Sequence, residues 1–363
     1  MLSNKSDYKI EQFRLEEENF DTLAELITDA FLADETAIKE GASIAFTKQT
    51  FRTMYGAPTI DRDLFVQAIY KPTGKIVGFI GGIPRTLSIE GKKYKFAIPS
   101  WLSVHAQHQG NGIAKAMGIR LFEIGMQKGY DGAFSLHEPE QHGIDVSTAV
   151  SRDKKIRFQR VITLTKFVIK SFDVEKVSTV VKLRWYEKLV FKMYQKFKKI
   201  DLTNIRVCNK EDIPDMFVII QEQVKRNQLS IVPTYEDFEW MLDNPNVICV
   251  VHEDKKGKVI GFMLAWEFML AGLGNKIPFG WLDMVHIHRL NKNQGSNLAN
   301  YLCQVSQQKG WFGLQTPYIP YFDMKPLKKA NFFFFNKKIN LDLFNLRNVR
   351  IPEKVESFYF DWR

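Results

Sequence analysis

The 363-residue sequence predicts a mixed-sheet α/β protein of the α+β kind, built from two tandem copies of one domain related by internal duplication. Three observations predict it. An apolar stretch at residues 96–104 (FAIPSWLSV) runs into the polar turn Gln109, Gly110, Asn111 and Gly112. Ile113, Ala114, Met117, Leu121 and Ile124 then recur at helical spacing, so a strand feeds a glycine turn that opens a helix. Second, short matches recur in the same order along the chain. Val285-His286 stands 181 residues after Val104-His105, and Gln308-Lys309-Gly310 stands 181 residues after Gln127-Lys128-Gly129. Lys258 to Phe262 (KVIGF) echoes Lys75 to Phe79 (KIVGF) at 183, a two-residue change of loop length. Third, 45% apolar and 25% charged residues with 29 Phe fit two well-filled aromatic cores.

The elements follow in order. Residues 8–13 alternate as a strand, and residues 19–31 (NFDTLAELITDAF) form an amphipathic helix that Asn19 or Asp21 could cap. Residues 44–55 read as a second helix ended by Gly56 and Pro58, and residues 64–70 as a strand. Residues 75–83 (KIVGFIGGI) are apolar enough for a central strand. Glu90-Gly91 marks a hairpin between residues 87–89 and 92–104. The focal turn and helix follow, Gly129 ends that helix, and residues 132–136 begin the next strand, closed by His137-Glu138-Pro139. In the second half, residues 212–224 match the first amphipathic helix in place and pattern.

These signals divide the chain into an N-terminal domain (1–150), a basic connecting segment (151–200) and a C-terminal domain (201–363). Residues 151–200 carry 15 Lys or Arg against four acidic residues, so the net charge of +10 resides there. Residues 157–172 alternate enough for one or two strands. Residues 175–197 read as one helix, with Val180, Val181, Leu183, Leu189, Val190 and Met193 as an apolar stripe under a cationic face. Its first reading is a linker helix packed on one domain with solvated lysines. The alternatives are an acidic membrane surface, an acidic partner or a ligand's phosphates. No nucleic-acid motif accompanies the charge, so no nucleic-acid partner is expected. Cys208, Cys249 and Cys303 lie far apart and odd in number, which suggests a reducing compartment, and the start lacks a signal peptide's apolar core; the expected location is cytoplasmic. His286 and His288 share one side of a strand without a third spaced ligand, so no metal site is expected.

The focal helix start offers free backbone N–H groups and the positive end of the helix dipole, a fitting place for a diphosphate. Glycine lets the backbone approach such a ligand closely. Gln109-x-x-Gly112-x-Ala114 resembles the Gln/Arg-x-x-Gly-x-Gly/Ala signature of the GNAT acyltransferases, whose loop grips the pyrophosphate of coenzyme A. The tandem arrangement resembles one branch of them, the eukaryotic N-myristoyltransferases. Val77-Gly78-Phe79-Ile80 with Ile83-Pro84, Ser100-Trp101-Leu102-Ser103-Val104-His105, Asp212-Ile213-Pro214 and Pro352-Glu353-Lys354-Val355 carry that likeness. The resemblance implies two tandem GNAT-like acyl-CoA N-acyltransferase domains. The second copy has Leu290-Asn291-Lys292-Asn293 in place of the paired glycines, so only the first is expected to hold coenzyme A, and the second to supply acceptor surface.

It further implies acyl-CoA as co-substrate, acetyl slightly favoured by the glycine turn over a long chain such as myristoyl, and an amine of a peptide, protein or small molecule as acceptor. The candidate acyl-CoA residues are Leu102, Val104, Gln109, Gly110, Asn111, Gly112, Ile113, Ala114 and Lys115. Backbone N–H groups near Trp101 and Leu102 would face the thioester oxygen. Candidate bases are Glu138, His137 and His105 and, by the resemblance, the terminal carboxylate of Arg363. Asn331 to Lys337 replaces the family's late acceptor loop, and its four phenylalanines read as a buried strand. The tyrosine acid of many GNAT enzymes is not evident around residues 144–150. The alternative reading is a catalytically inactive GNAT-fold binding or scaffold protein.

Overall fold

The computed structural model describes residues 7–35, 38, 41–139 and 142–362. The chain forms two compact units. One comprises Met1–Lys39, Ile44–Thr163 and Lys338–Val355; the other comprises Glu40–Ser43, Leu164–Lys337 and Glu356–Arg363. These bounds differ from the 1–150, 151–200 and 201–363 division. The basic stretch is shared between the two units rather than standing apart, and residues 338–355 return to the N-terminal unit.

In the N-terminal unit the strands lie in the order Tyr8–Phe13, Phe65–Tyr70, Lys75–Ile89, Lys92–Val104, Gly132–His137, then residues 338–345 of the strand Phe333–Asn345. The first four are antiparallel neighbours. The residues read as two strand pieces around 75–89 form one 15-residue strand, with Pro84 paired opposite Ala97. The turn Glu90-Gly91 joins it to its partner, both residues at positive φ as a tight two-residue hairpin demands. On one sheet face the helix Ile113–Gln127 buries Met117, Leu121 and Ile124 against Val66, Ala68, Val77 and Ile80. On the other, the helix Lys48–Tyr55 brings Phe51 and Tyr55 against Phe65 and Phe79, and the helix Phe20–Leu32 packs Phe20 on Phe51.

Two local expectations change here. Residues 44–46 are not helical: Ser43–Ala45 is extended, and the helix starts at Lys48 because the Thr47 hydroxyl caps the Thr50 N–H. Neither Asn19 nor Asp21 caps the first helix by a side-chain bond. Asn19 instead accepts from the Glu16 N–H in a 3-10 turn that leads into it, and Asp21 pairs with Lys48.

The C-terminal unit orders residues 164–171 of Arg157–Ser171, then Gly313–Pro317, Asn275–His286, Val259–Gly272, Val247–Glu253 and Ile205–Val207. Its helices include Ile213–Arg226, Tyr235–Asp243 and Lys292–Gln308. The long hairpin Val259–Gly272/Asn275–His286, followed by a helix and a strand, repeats the N-terminal unit's Lys75–Ile89/Lys92–Val104 hairpin, Ile113–Gln127 helix and Gly132–His137 strand. Gly132 and Gly313 are matched for a physical reason. A Cβ on either would fall 2.5 Å or less from a phenylalanine ring, Phe96 or Phe279.

The single helix expected over residues 175–197 is instead a short turn Val174–Val177 and a separate helix Trp185–Gln195. Ser178 and Thr179 turn their hydroxyls onto the carbonyls of Val174 and Lys176, and the β-branched run that follows does not continue the helix. Of the four phenylalanines, Phe332 is buried, whereas Phe333 to Phe335 are only half-buried at the start of their strand. Among the described residues no helix is long and apolar enough to cross a membrane.

Candidate functional site

The site grows from one irregularity. The ladder pairs Phe79 with Ser103 and Gly81 with Ser100, so Trp101 and Leu102 together stand opposite Ile80. This is a β-bulge, and Trp101 takes φ 56°, in the left-handed region. Side chains hold it there. The Tyr55 hydroxyl bonds Ser100 Oγ at 2.8 Å, and Ser103 Oγ donates to the Trp101 carbonyl at 2.9 Å. The Trp101 ring rests on Phe46 and Phe31, with centroids 4.6 and 5.8 Å away. Burial pushes the Tyr55 hydroxyl pKa well up, so it acts here as a neutral bonding group. Sequence reasoning treated Tyr55 only as a helix end and Ser100 and Ser103 only as departures from a pattern. No local signal shows that Tyr55 meets Ser100 or that Ser103 holds the Trp101 carbonyl.

Beyond the bulge a wedge opens. Lys92–Val104 and Gly132–His137 run parallel but pair only at Phe96–Gly132 and Ala97–Ala133. The second strand then pairs through residues 132–137 with residues 340–345 on its other side. Residues 98–104 and 134–137 thus diverge, with Trp101 and Leu102 on one arm and His137 and Glu138 at the end of the other.

The focal turn closes the same strand. Gln109 Nε2 donates to the Val104 carbonyl at 3.1 Å, and Asn111 Nδ2 donates to the carbonyls of His108 and Gln109. Asn111 and Gln109 therefore shape the loop. Gly110 and Gly112 have φ 78° and 75°, and a Cβ on either would meet nothing within 4 Å. The first helical bond runs from the Ala116 N–H to the Gly112 carbonyl, and no side chain caps the amides before it, those of Ile113, Ala114 and Lys115. Lys115 directs its ammonium to Asp153 at 2.6 Å.

The second copy differs at this point. Asn291 caps the helix Lys292–Gln308, its side chain accepting from the amides of Asn293 and Gln294, while Gln294 accepts from the Asn291 N–H. The corresponding hairpin also shifts register, between Leu264 and Ala265, where Asp283 stands extra on the facing strand. Asp283 accepts from the Trp266 indole at 3.1 Å and from the Trp362 amide at 2.6 Å. At the helix start, amides that no side chain caps in the first copy are thus taken by Asn291 in the second.

The base candidates are placed apart. His137 is buried and bonded to Ser135 Oγ at 2.7 Å and Ser147 Oγ at 3.3 Å, and burial lowers its pKa, so it is neutral at physiological pH. His105 accepts from the Gln107 amide in the loop. Glu138 is half-buried just past the strand end. Arg363 lies outside the described residues. Residues 144–150, around which no GNAT tyrosine is evident, lie within the helix His142–Lys154. Among the described residues no group of three or more His, Cys, Asp or Glu could hold a metal. A cavity of about 400 Å³ lies in the C-terminal unit, between Phe172 and Lys196, and is lined by charges of both signs and none of these residues.

Known proteins resemble this chain in sequence and in fold. Residues 13–135 match the family model described as an acetyltransferase (GNAT) domain. The chain is 21% identical over 257 residues to the glycylpeptide N-tetradecanoyltransferase of Plasmodium falciparum, a match covering 69% of this chain and 57% of that protein. It therefore spans little more than half of the curated relative's length. Saccharomyces cerevisiae N-myristoyltransferase with bound myristoyl-CoA superposes with a TM-score of 0.72 at 18% identity, over 94% of this chain and 79% of that one. A GCN5-related N-acetyltransferase from Anabaena variabilis gives a TM-score of 0.51 at 9% identity, over 94% and 73% of the two chains. Residues 13–135 thus match an acetyltransferase (GNAT) domain model, and the chain as a whole shares the fold of the N-myristoyltransferase structures.

Proposed function

We propose that the chain is an acyl-CoA-dependent N-acyltransferase whose cofactor is held by the N-terminal unit alone. The supporting observation is the contrast between the two helix starts: uncapped amides behind Gly112, and an Asn291 cap on the other. The amides of residues 110–114 would take the diphosphate, with Gln109 and Asn111 fixing the loop and Leu102 and Val104 flanking the thioester arm. The amides of Trp101 and Leu102, the two residues that the bulge leaves without a paired partner, would stabilise the thioester oxyanion, a donor set typically worth about 3–4 kcal/mol of barrier.

An amine attacks the thioester carbon, the C–S bond breaks, and the proton lost by nitrogen ends on the departing thiol by way of a base. Glu138 is the proposed base, and the terminal carboxylate of Arg363 is its rival by resemblance. An α-amine, with a pKa of about 7.7–8.0, needs less help than a lysine amine near about 10.4, which supports a peptide N-terminus as acceptor.

The acyl group is proposed to be long-chain, on the strength of the relatives named for tetradecanoyl transfer and of the myristoyl-CoA complex whose fold the chain shares. One observation favours acetyl instead. Beneath the bulge Phe51, Tyr55, Phe65 and Phe79 pack ring to ring with 2% exposure or less, which leaves the short group the easier fit. Thiol release from acetyl-CoA and from myristoyl-CoA, measured with a library of N-terminal peptides, decides the length. Background release with both overturns the enzyme reading in favour of a binding scaffold. Activity retained in Glu138→Gln and lost on removing Arg363 transfers the base to the terminus.

A further inference from the structure

The helix Trp185–Gln195 takes no part in the chemistry above. Its inner side is firmly seated. Phe191 and Tyr194 pack on Phe333, with centroids 5.7 and 5.3 Å away, and the buried Lys170 donates to the carbonyls of Tyr194 and Lys196, closing the helix's C-terminal end. The outer side is unusual. Trp185, Leu189 and Met193, one helical turn apart in succession, are 75%, 54% and 73% exposed, and Tyr186 beside them is 43% exposed. Scattered exposed apolar residues are ordinary, but an aligned Trp-Leu-Met stripe is an unpartnered surface.

Lys188 and Lys192 follow the same side at i+3 and i+7 from Trp185, with Arg184 at the N-cap and Lys196, Lys198 and Lys199 just beyond the helix end. Lys192 pairs with Glu175 at 2.7 Å, but both side chains are more than half exposed, so exchanging that partner for another anion costs little.

We propose that this face docks on an anionic phospholipid bilayer, with the stripe at the acyl boundary and the lysines among the headgroup phosphates. The lysines decide between occupants. A complementary apolar groove on a protein would need the stripe alone, and cations edging it would resist burial there. At a bilayer the same cations snorkel to phosphate while Trp185 occupies the interface that indole prefers. The inference is independent of the acyl-transfer reading.

Co-sedimentation of the full chain with vesicles of phosphatidylcholine alone and with about 30% phosphatidylserine tests it. Binding is expected only to the anionic vesicles and falls as salt rises. Lys188→Ala with Lys192→Ala lowers the partition coefficient about 30-fold, and Trp185→Ser/Leu189→Ser/Met193→Ser abolishes binding without shifting the melting temperature. Quenching of wild-type tryptophan by bromolipid, lost in Trp185→Phe, reports insertion without depending on the triple variant. Equal binding to neutral vesicles, no binding to anionic ones, binding retained by the triple variant, or lipid-free self-association that shields Trp185 overturns the proposal.

Discussion

Gly112→Ala probes the cofactor proposal most directly. Gly112 sits at φ 75° as the N-cap of the focal helix, and a Cβ there meets nothing within 4 Å. Alanine therefore fits without a clash inside the protein, and its structural cost is the left-handed backbone alone, about 1–2 kcal/mol. That lowers the melting temperature by about 2–8 °C. The cost to binding is separate. The methyl group enters the open space in front of the amides, where diphosphate oxygens must approach. Losing two charge-assisted bonds at about 1.5 kcal/mol each weakens coenzyme A binding about 100-fold. Gly74→Ala is the control: its φ is 68°, its Cβ space is equally open, and it lies in the turn before Lys75. It should lose the same stability and no affinity. Titration of coenzyme A into each variant, followed by tryptophan fluorescence and calorimetry, gives the result. Wild-type affinity in Gly112→Ala, or an equal loss in Gly74→Ala, refutes the reasoning.

Tyr55→Phe removes the hydroxyl that bonds Ser100 at 2.8 Å below the bulge, costing about 1–2 kcal/mol of stability. Turnover should fall while the KM for acyl-CoA holds, and an unchanged kcat would separate this bond from the chemistry. Asn291→Ala removes the cap of the second copy's helix, costing about 1 kcal/mol in thermal unfolding. One coenzyme A per chain should remain, since the paired glycines are missing there. In the C-terminal unit, Arg289 first and His288 second hold the Glu222 carboxyl down at about 2, from an ordinary value of 4.5. A depressed carboxyl stabilises while ionised, so its contribution is whole above pH 4.5 and disappears as pH falls towards about 2. Glu222→Gln should flatten denaturant-measured stability across that window, and less so at high salt because the pair is partly exposed.

The legible parts of the sequence share one property: they follow from neighbours along the chain. The hairpin at Glu90-Gly91, the helix behind Gly112 and the end of that helix at Gly129 each rest on local backbone preference and periodicity. The repeat was legible because two folded copies impose the same close approaches, as Gly132 and Gly313 do on Phe96 and Phe279. Where the apolar periodicity misled, a short-range side-chain bond to the backbone decided. Thr47 moved a helix start, and Ser178 and Thr179 broke a helix that the apolar stripe suggested.

By itself, then, the sequence determined the class of fold, its doubling, and the glycine turn that opens the helix behind Gly112. Only the tertiary structure decided that Trp101 and Leu102 leave the ladder, that Tyr55 and Ser100 meet beneath them, and that Trp185, Leu189 and Met193 face outward instead of lining a core. The reason is physical. A turn's conformation is written in the residues that make it, whereas a strand's register and a helix's buried side depend on surfaces supplied by residues far away in the chain.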